Sequence, residues 1–128
     1  MGVRFLSEQW ANELLERLRA NEAFTGAIAG KSVRILQEIA GSEQGTVEYW
    51  LTIENGTIDL GLGGIDAPDA TISQDYATAV GLARSEVSPV TAFMTGKIKV
   101  AGNLMSLMGL QDALSLLPSV MADMDIDY

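Results

Sequence analysis

Val47-Glu48-Tyr49-Trp50-Leu51-Thr52-Ile53-Glu54-Asn55-Gly56-Thr57-Ile58-Asp59-Leu60-Gly61-Leu62 is the stretch whose reading decides the fold. Val47, Tyr49, Leu51 and Ile53 alternate with Glu48, Trp50, Thr52 and Glu54, so a strand here puts the first four on one face. Asn55-Gly56 signals a type I′ hairpin, because both central residues of that turn need positive φ. A two-residue loop fixes the register: Ile53 must face Ile58, Leu51 must face Leu60, and Tyr49 must face Leu62. All three pairs are apolar on one side, which supports the register independently of the turn. On the other side Trp50 falls across from Gly61, where an aromatic ring can lie over bare backbone.

Upstream, Val33, Ile35 and Ile39 against Arg34 and Glu38 predict a first strand, interrupted at Leu36 and Gln37, where the expected polarity is swapped. The turn falls at 41–45. Ser7 can cap a helix running to Ala20, with Trp10, Ala11, Leu14, Leu15 and Leu18 on one face. Glu13 with Arg17 and Glu16 with Arg19 make solvated pairs on its other face. Phe24 and residues 26–30 read as a loose connection.

Downstream, Gly61-Leu62-Gly63-Gly64 lacks the glycine spacing and the following helix of a nucleotide loop, and reads as a strand fraying into a turn. Ala70-Thr71-Ile72 is a short strand. Ser73 is expected to cap a helix through about Glu86, with Asp75 complementing the dipole in its first turn and a stripe at Tyr76, Val80, Ala83 and Val87.

Ser88 to Leu110 then holds three devices. Ser88 and Pro89 suit the start of a short helix, 89–95, which Gly96 can end in the left-handed conformation. Lys97-Ile98-Lys99-Val100-Ala101 alternates with period two, as a half-buried strand does. Gly102 breaks that strand and Asn103 caps a helix expected over 103–117. Leu104, Met105, Leu107, Met108 and Leu110 make that helix apolar over most of its circumference, which implies enclosure or the border of a cavity. The helix is expected to stop at Pro118. Asp123, Asp125 and Asp127 lack the glycine and closing glutamate of a calcium loop, so an acidic solvated tail is expected, with Val120, Met121 and Met124 free to fold back.

This order of elements predicts an α+β domain. An antiparallel meander is followed by strands joined through helices, giving one mixed five-stranded sheet whose Tyr49, Leu51 and Leu60 face is covered by helices. With 128 residues, one domain spanning 1–128 is expected. Its 17 acidic against 8 basic side chains give a formal charge of -9, which repels nucleic acid and opposes steady residence on an anionic bilayer, leaving at most transient membrane contact. No run reaches the roughly 20 apolar residues of a membrane span. Met1 to Phe5 lacks a secretory layout, so the cytoplasm is the expected compartment.

Residues 92–104, A-F-M-T-G-K-I-K-V-A-G-N-L, resemble the signature of the sterol carrier protein 2 (SCP2) domain. In that family a phenylalanine-bearing turn, a glycine, a lysine-flanked strand and a second glycine precede an apolar helix. The similarity extends more weakly from about Ala29 to Leu117. It implies a lipid-binding domain of the same α+β arrangement with an apolar tunnel. The peroxisomal address of some eukaryotic SCP2 proteins is not seen at Asp125-Ile126-Asp127-Tyr128.

The chain has no histidine and no cysteine, which removes Ser–His and Cys–His nucleophilic pairs and histidine metal sites. Its carboxylates fall mostly on expected exposed faces, and no cofactor or metal motif stands out. The expectation is a carrier, not an enzyme. Five of its six methionines follow residue 93, and methionine suits a cavity of variable shape. Read with the resemblance, the expected ligand contacts are Tyr49, Leu51 and Leu60 from the sheet, with Phe93, Met94, Leu104, Met105 and Met108 from the helices. The ligand would be a long-chain fatty acid, fatty acyl ester or sterol-like lipid. Lys97 and Lys99 could offer a cation to its headgroup, though solvated edge-strand lysines are the plainer reading. Two alternatives remain: a lipid-presenting accessory protein of a biosynthetic pathway, and a ligand-free interaction module, including a homodimer.

Overall fold

The structure, a computed structural model, describes residues 2–42, 45–84, 86–87, 89–103, 105 and 108–127, with the side chains of 42, 89, 90, 111, 114 and 115 left aside. In chain order the elements are β1 (Val3–Arg4), α1 (Glu8–Ala20), α2 (Glu22–Ala27), β2 (Val33–Ser42), β3 (Gly45–Glu54), β4 (Thr57–Leu62) and β5 (Ala70–Asp75). There follow α3 (Tyr76–Ala83), α4 (Pro89–Met94), β6 (Ile98–Gly102), α5 (Gln111–Ala122) and β7 (Ile126–Asp127). Five strands form one mixed sheet in the order β4-β3-β2-β5-β6, and only β2 and β5 run parallel within it.

The hairpin is as the turn dictates. Asn55 and Gly56 sit at φ 50° and 78°, and Ile53 faces Ile58, Leu51 faces Leu60, and Tyr49 faces Leu62. Trp50 lies over Gly61, where an added Cβ would come within 2.6 Å of the indole ring. Ile53, Leu51, Ile58 and Leu60 are buried in the core beneath α1, together with Trp10, Leu14 and Leu18 of that helix. Ser7 caps α1 by accepting the Trp10 N–H at 3.2 Å.

Four local expectations are corrected. The β2 strand is uninterrupted: as a central strand it has neighbours on both sides, so Leu36 is covered on the open face, where it pairs with Trp50 and Thr71. Gln37 on the helix face accepts the Gln74 side-chain N–H at 3.1 Å, which meets its need for a partner inside. The connection after α1 is ordered, because Asn21 caps α2 by accepting the Phe24 N–H at 2.9 Å and Phe24 is fully buried. The cap of α3 is Asp75, not Ser73: the ladder to β2 and β6 keeps residues 73 and 74 in the strand. Arg19 leaves the outer face of α1 to donate to the Ile58 carbonyl of β4 at 3.2 and 3.3 Å.

The C-terminal segment departs furthest. The last helix begins at Gln111 and runs through Pro118 to Ala122. A proline inside a helix costs ~3 kcal/mol or more. Here Leu117, Val120, Met121 and Met124 are buried against the core, and a fully buried side chain of this size contributes about 1.5–3 kcal/mol. Four such residues outweigh the break. The acidic end is not a solvated tail, since β7 pairs in parallel with β1, and Val3 and Phe5 donate to the Asp125 and Asp127 carbonyls at 2.8 and 2.9 Å.

Candidate functional site

Between α3 and α5 the chain alternates anchors with exposed apolar side chains. Ala92 is fully buried and fixes α4, while its neighbours Phe93 and Met94 are 48% and 78% exposed. The helix closes at Gly96 (φ 79°): Lys97 donates to Ala92 O at 2.8 Å and Gly96 to Phe93 O at 3.2 Å, the two bonds of a Schellman turn. β6 then lies on the edge of the sheet, antiparallel to β5, with Ser73 opposite Lys99 and Ile72 opposite Val100. Ile98 and Val100 are half-buried on the helix side, and Lys99 and Ala101 stand exposed on the other.

Gly102 has to be glycine. Its φ is 97°, and an added Cβ would meet Asp69 O at 2.5 Å. That close approach turns the chain sharply off the edge strand, with Asn103 donating to Asp69 O at 2.7 Å. Met105 and Met108 are helical and are 76% and 60% exposed, and the Gly109 N–H donates to Met105 O at 3.1 Å. Leu110 dives back into the core. The Lys31 ammonium donates to the Gly109 carbonyl, fastening the end of this turn to the loop before β2.

The expected ligand contacts therefore divide. Tyr49, Leu51 and Leu60 are buried in the core on the helix-covered face, where Tyr49 meets Trp10 edge-on with centroids 5.2 Å apart. Phe93, Met94, Met105 and Met108 lie on the surface flanking β6. Leu104 and the expected cap Ser88 fall outside the described residues. Among the described residues, three of the expected contacts are thus core residues and four are exposed. A separate depression of about 220 Å³ lies between α1 and α5, lined by Arg17, Ala20, Asn21, Val120 and Asp123, and none of the expected contacts lines it. It is smaller than the about 300–1,000 Å³ of ordinary small-molecule sites.

Two features went unread in the sequence. Phe5, Trp10, Tyr49 and Tyr76 form one aromatic cluster, with Phe5 meeting Trp10 at 5.3 Å and Tyr76 at 5.8 Å. Phe5 belongs to it only because β1 is held by β7, a pairing across the whole chain with no local signal. Lys31 is likewise brought to Gly109 from 78 residues away.

Electrostatics at the site are mild. Hydrogen bonds from the Thr78 side chain and backbone hold the Asp75 carboxyl below its ordinary range, with a smaller contribution from nearby Lys97. Burial pushes the Tyr49 phenol well above its ordinary range. Among the described residues no three of His, Cys, Asp and Glu gather as a metal site, and no helix is long and apolar enough to cross a membrane.

Residues 8–115 match the SCP-2 sterol transfer family, and the chain belongs to it. It is similar to a crystal structure of sterol carrier protein 2, with a TM-score of 0.82 at 20% identity over 94% of this chain and 99% of that one. A conserved hypothetical protein of Thermus thermophilus, described as possibly a sterol carrier protein, gives a TM-score of 0.79 at 20% identity, covering 95% and 90% of the two chains. Palmitated SCP2L2 from Aedes aegypti gives 0.56 at 16% identity, covering 90% and 97%. A comparison with curated proteins finds no match.

Proposed function

We propose that the protein carries a long-chain lipid, such as a fatty acid, a fatty acyl ester or a sterol-like molecule, between its sheet and the segment from α4 to α5. One observation supports this above the others: Phe93, Met94, Met105 and Met108 are largely exposed, inside the stretch that matches the family. Covering each would gain about 1.5–3 kcal/mol at full burial, and within this chain the sheet does not cover them. An acyl chain would. A sixteen-carbon chain offers on the order of 10 kcal/mol gross at about 0.8 kcal/mol per methylene, and the cost of ordering it leaves an affinity near micromolar or tighter.

The binding step is burial, and no bond is made or broken in it. The chain acts as a carrier rather than an enzyme, a reading supported by a sequence without histidine or cysteine. The palmitated state of the Aedes aegypti protein supports a fatty acyl ligand. Met105 and Met108 replaced together by tryptophan should fill the space such a ligand takes. Binding of a fluorescent fatty acid in vesicle-free buffer should then fall at least tenfold while the melting temperature holds. Unchanged binding, or a general loss of stability, would refute this position for the ligand.

A further inference from the structure

The methionines of this chain fall into two chemical environments. Met121 and Met124 are buried in the core, whereas Met94, Met105 and Met108 are largely exposed. Met1 lies outside the described residues. Leucine would give an equally apolar surface at the three exposed positions. What methionine adds there is a polarisable sulfur whose lone pairs are open to solvent. The chain has no cysteine to react with an oxidant in their place. Trp10 is fully buried, and Trp50 is half-buried with its ring over Gly61.

We infer that Met94, Met105 and Met108 form a reversible oxidation site, through which hydrogen peroxide switches off the binding of lipid. The step is a two-electron oxidation of each sulfur. A sulfur lone pair attacks one oxygen of the peroxide, so that an S–O bond forms as the O–O bond breaks. The oxygen on sulfur gives its proton to the departing hydroxide, which leaves as water. The thioether has become a sulfoxide and the peroxide has been reduced.

Polarity decides the consequence. A sulfoxide turns a flexible apolar side chain into a polar, chiral one with an acceptor oxygen. At an exposed position water solvates that oxygen, so the fold keeps its stability. Under an acyl chain the same oxygen has no donor, and burying an unpartnered polar group is unfavourable. Oxidation therefore opposes the lipid-covered state and leaves the uncovered one alone. The three sites act on the same segment: Met105 and Met108 are helical residues three apart, which are surface neighbours, and Met94 stands at the other end of the five-residue β6. A sulfoxide at Met121 or Met124 would instead disrupt the core, and burial keeps the peroxide from them.

The inference rests on the proposed carrier function, because the affinity it alters is that for the lipid; which methionines oxidise does not depend on that reading. The test treats the full chain with hydrogen peroxide and follows each methionine by peptide mass mapping, alongside binding of a fluorescent fatty acid. Met94, Met105 and Met108 should each gain one oxygen well before Met121 and Met124, and added palmitate should slow that gain. Affinity should fall on the order of tenfold or more while the melting temperature holds. Methionine sulfoxide reductases A and B together, one for each sulfoxide epimer, should restore binding. The triple variant Met94→Leu, Met105→Leu and Met108→Leu, compared with itself before and after peroxide, should lose no affinity.

Oxidation of the buried methionines at the same rate as the exposed ones would overturn the proposal. So would a loss of binding that the triple variant shares, or that the reductases do not reverse. If the untreated chain binds fatty acid and the oxidised chain binds it equally well, the switch is removed and the carrier reading stands. If the untreated chain binds no fatty acid, the carrier reading falls and the switch falls with it.

Discussion

The two sides of the sheet's central pair, β2 and β5, are built differently. On one side, Ile35 of β2, Leu51 and Ile53 of β3 and Ile58 of β4 share one buried core with Trp10 and Leu14 of α1. On the other, β6 carries only half-buried Ile98 and Val100, and the helical residues flanking it expose Phe93, Met94, Met105 and Met108. One sequence has closed one half of its sheet and left large apolar side chains on the outside of the other. The contrast separates residues that hold the fold from residues held ready for something else. Leaving several such groups in water forgoes a few kcal/mol, against a typical net stability of about 5–15 kcal/mol.

The largest effect belongs to the closed half. Trp10→Ala removes the side chain between Phe5 and Tyr49 and should cost about 3–5 kcal/mol in urea unfolding, near the whole stability of a small domain. A loss below about 1 kcal/mol would mean the aromatic cluster is not an anchor of the fold.

Gly102→Ala comes next. It forces a Cβ against Asp69 O at a φ of 97°, and should cost about 1–3 kcal/mol, with the Met105 turn disturbed as well as the edge strand. Asp75→Ala should cost about 1 kcal/mol by uncapping α3. Its pH dependence has a definite sign. The folded state holds this carboxyl below its ordinary value of about 3.9, so the contribution is present above that pH and fades as pH falls below it. The difference between wild type and variant should therefore shrink in acid, and a gap that widens in acid would contradict the capping role.

Met105→Ser with Met108→Ser sharpens the comparison from the other end. Both side chains are already exposed, so stability should change by no more than about 0.5 kcal/mol per site, while fatty-acid affinity should fall severalfold. A large drop in melting temperature would show that these methionines pack in the fold after all.

The same contrast governs what the sequence discloses. The closed half was legible: a turn needing two positive φ values sets a register, and alternation sets a face, so Ile53 had to meet Ile58. Local pattern also placed Ser7 as a cap and the strand before Gly102. It failed where tertiary contacts decide. Ser73 looks like a cap, but strand ladders on both sides move the cap to Asp75. Pro118 looks like a stop, yet the spacing of Leu117, Val120, Met121 and Met124 carries the helix past it, because their burial outweighs what the proline costs. The pairing of β1 with β7 has no local trace.

The site was legible only in part. An apolar helix around Met105 signals that something covers it, and nothing in that pattern distinguishes a core from a ligand or a membrane. Burial separates them: Leu110 goes inside, while Met105 and Met108 stay out. The resemblance at residues 92–104 supplied the class of ligand, which periodicity cannot.

Amide hydrogen exchange of the full chain, with and without palmitate, tests the central claim most directly, because it reports both halves in one experiment. The account predicts that residues 33–62 exchange slowly in both states with no change, whereas residues 90–110 exchange fast alone and gain protection when the fatty acid is added. Protection gained within 33–62, or no change anywhere at saturating palmitate, would contradict the claim that the open half of the sheet is the part that receives the lipid.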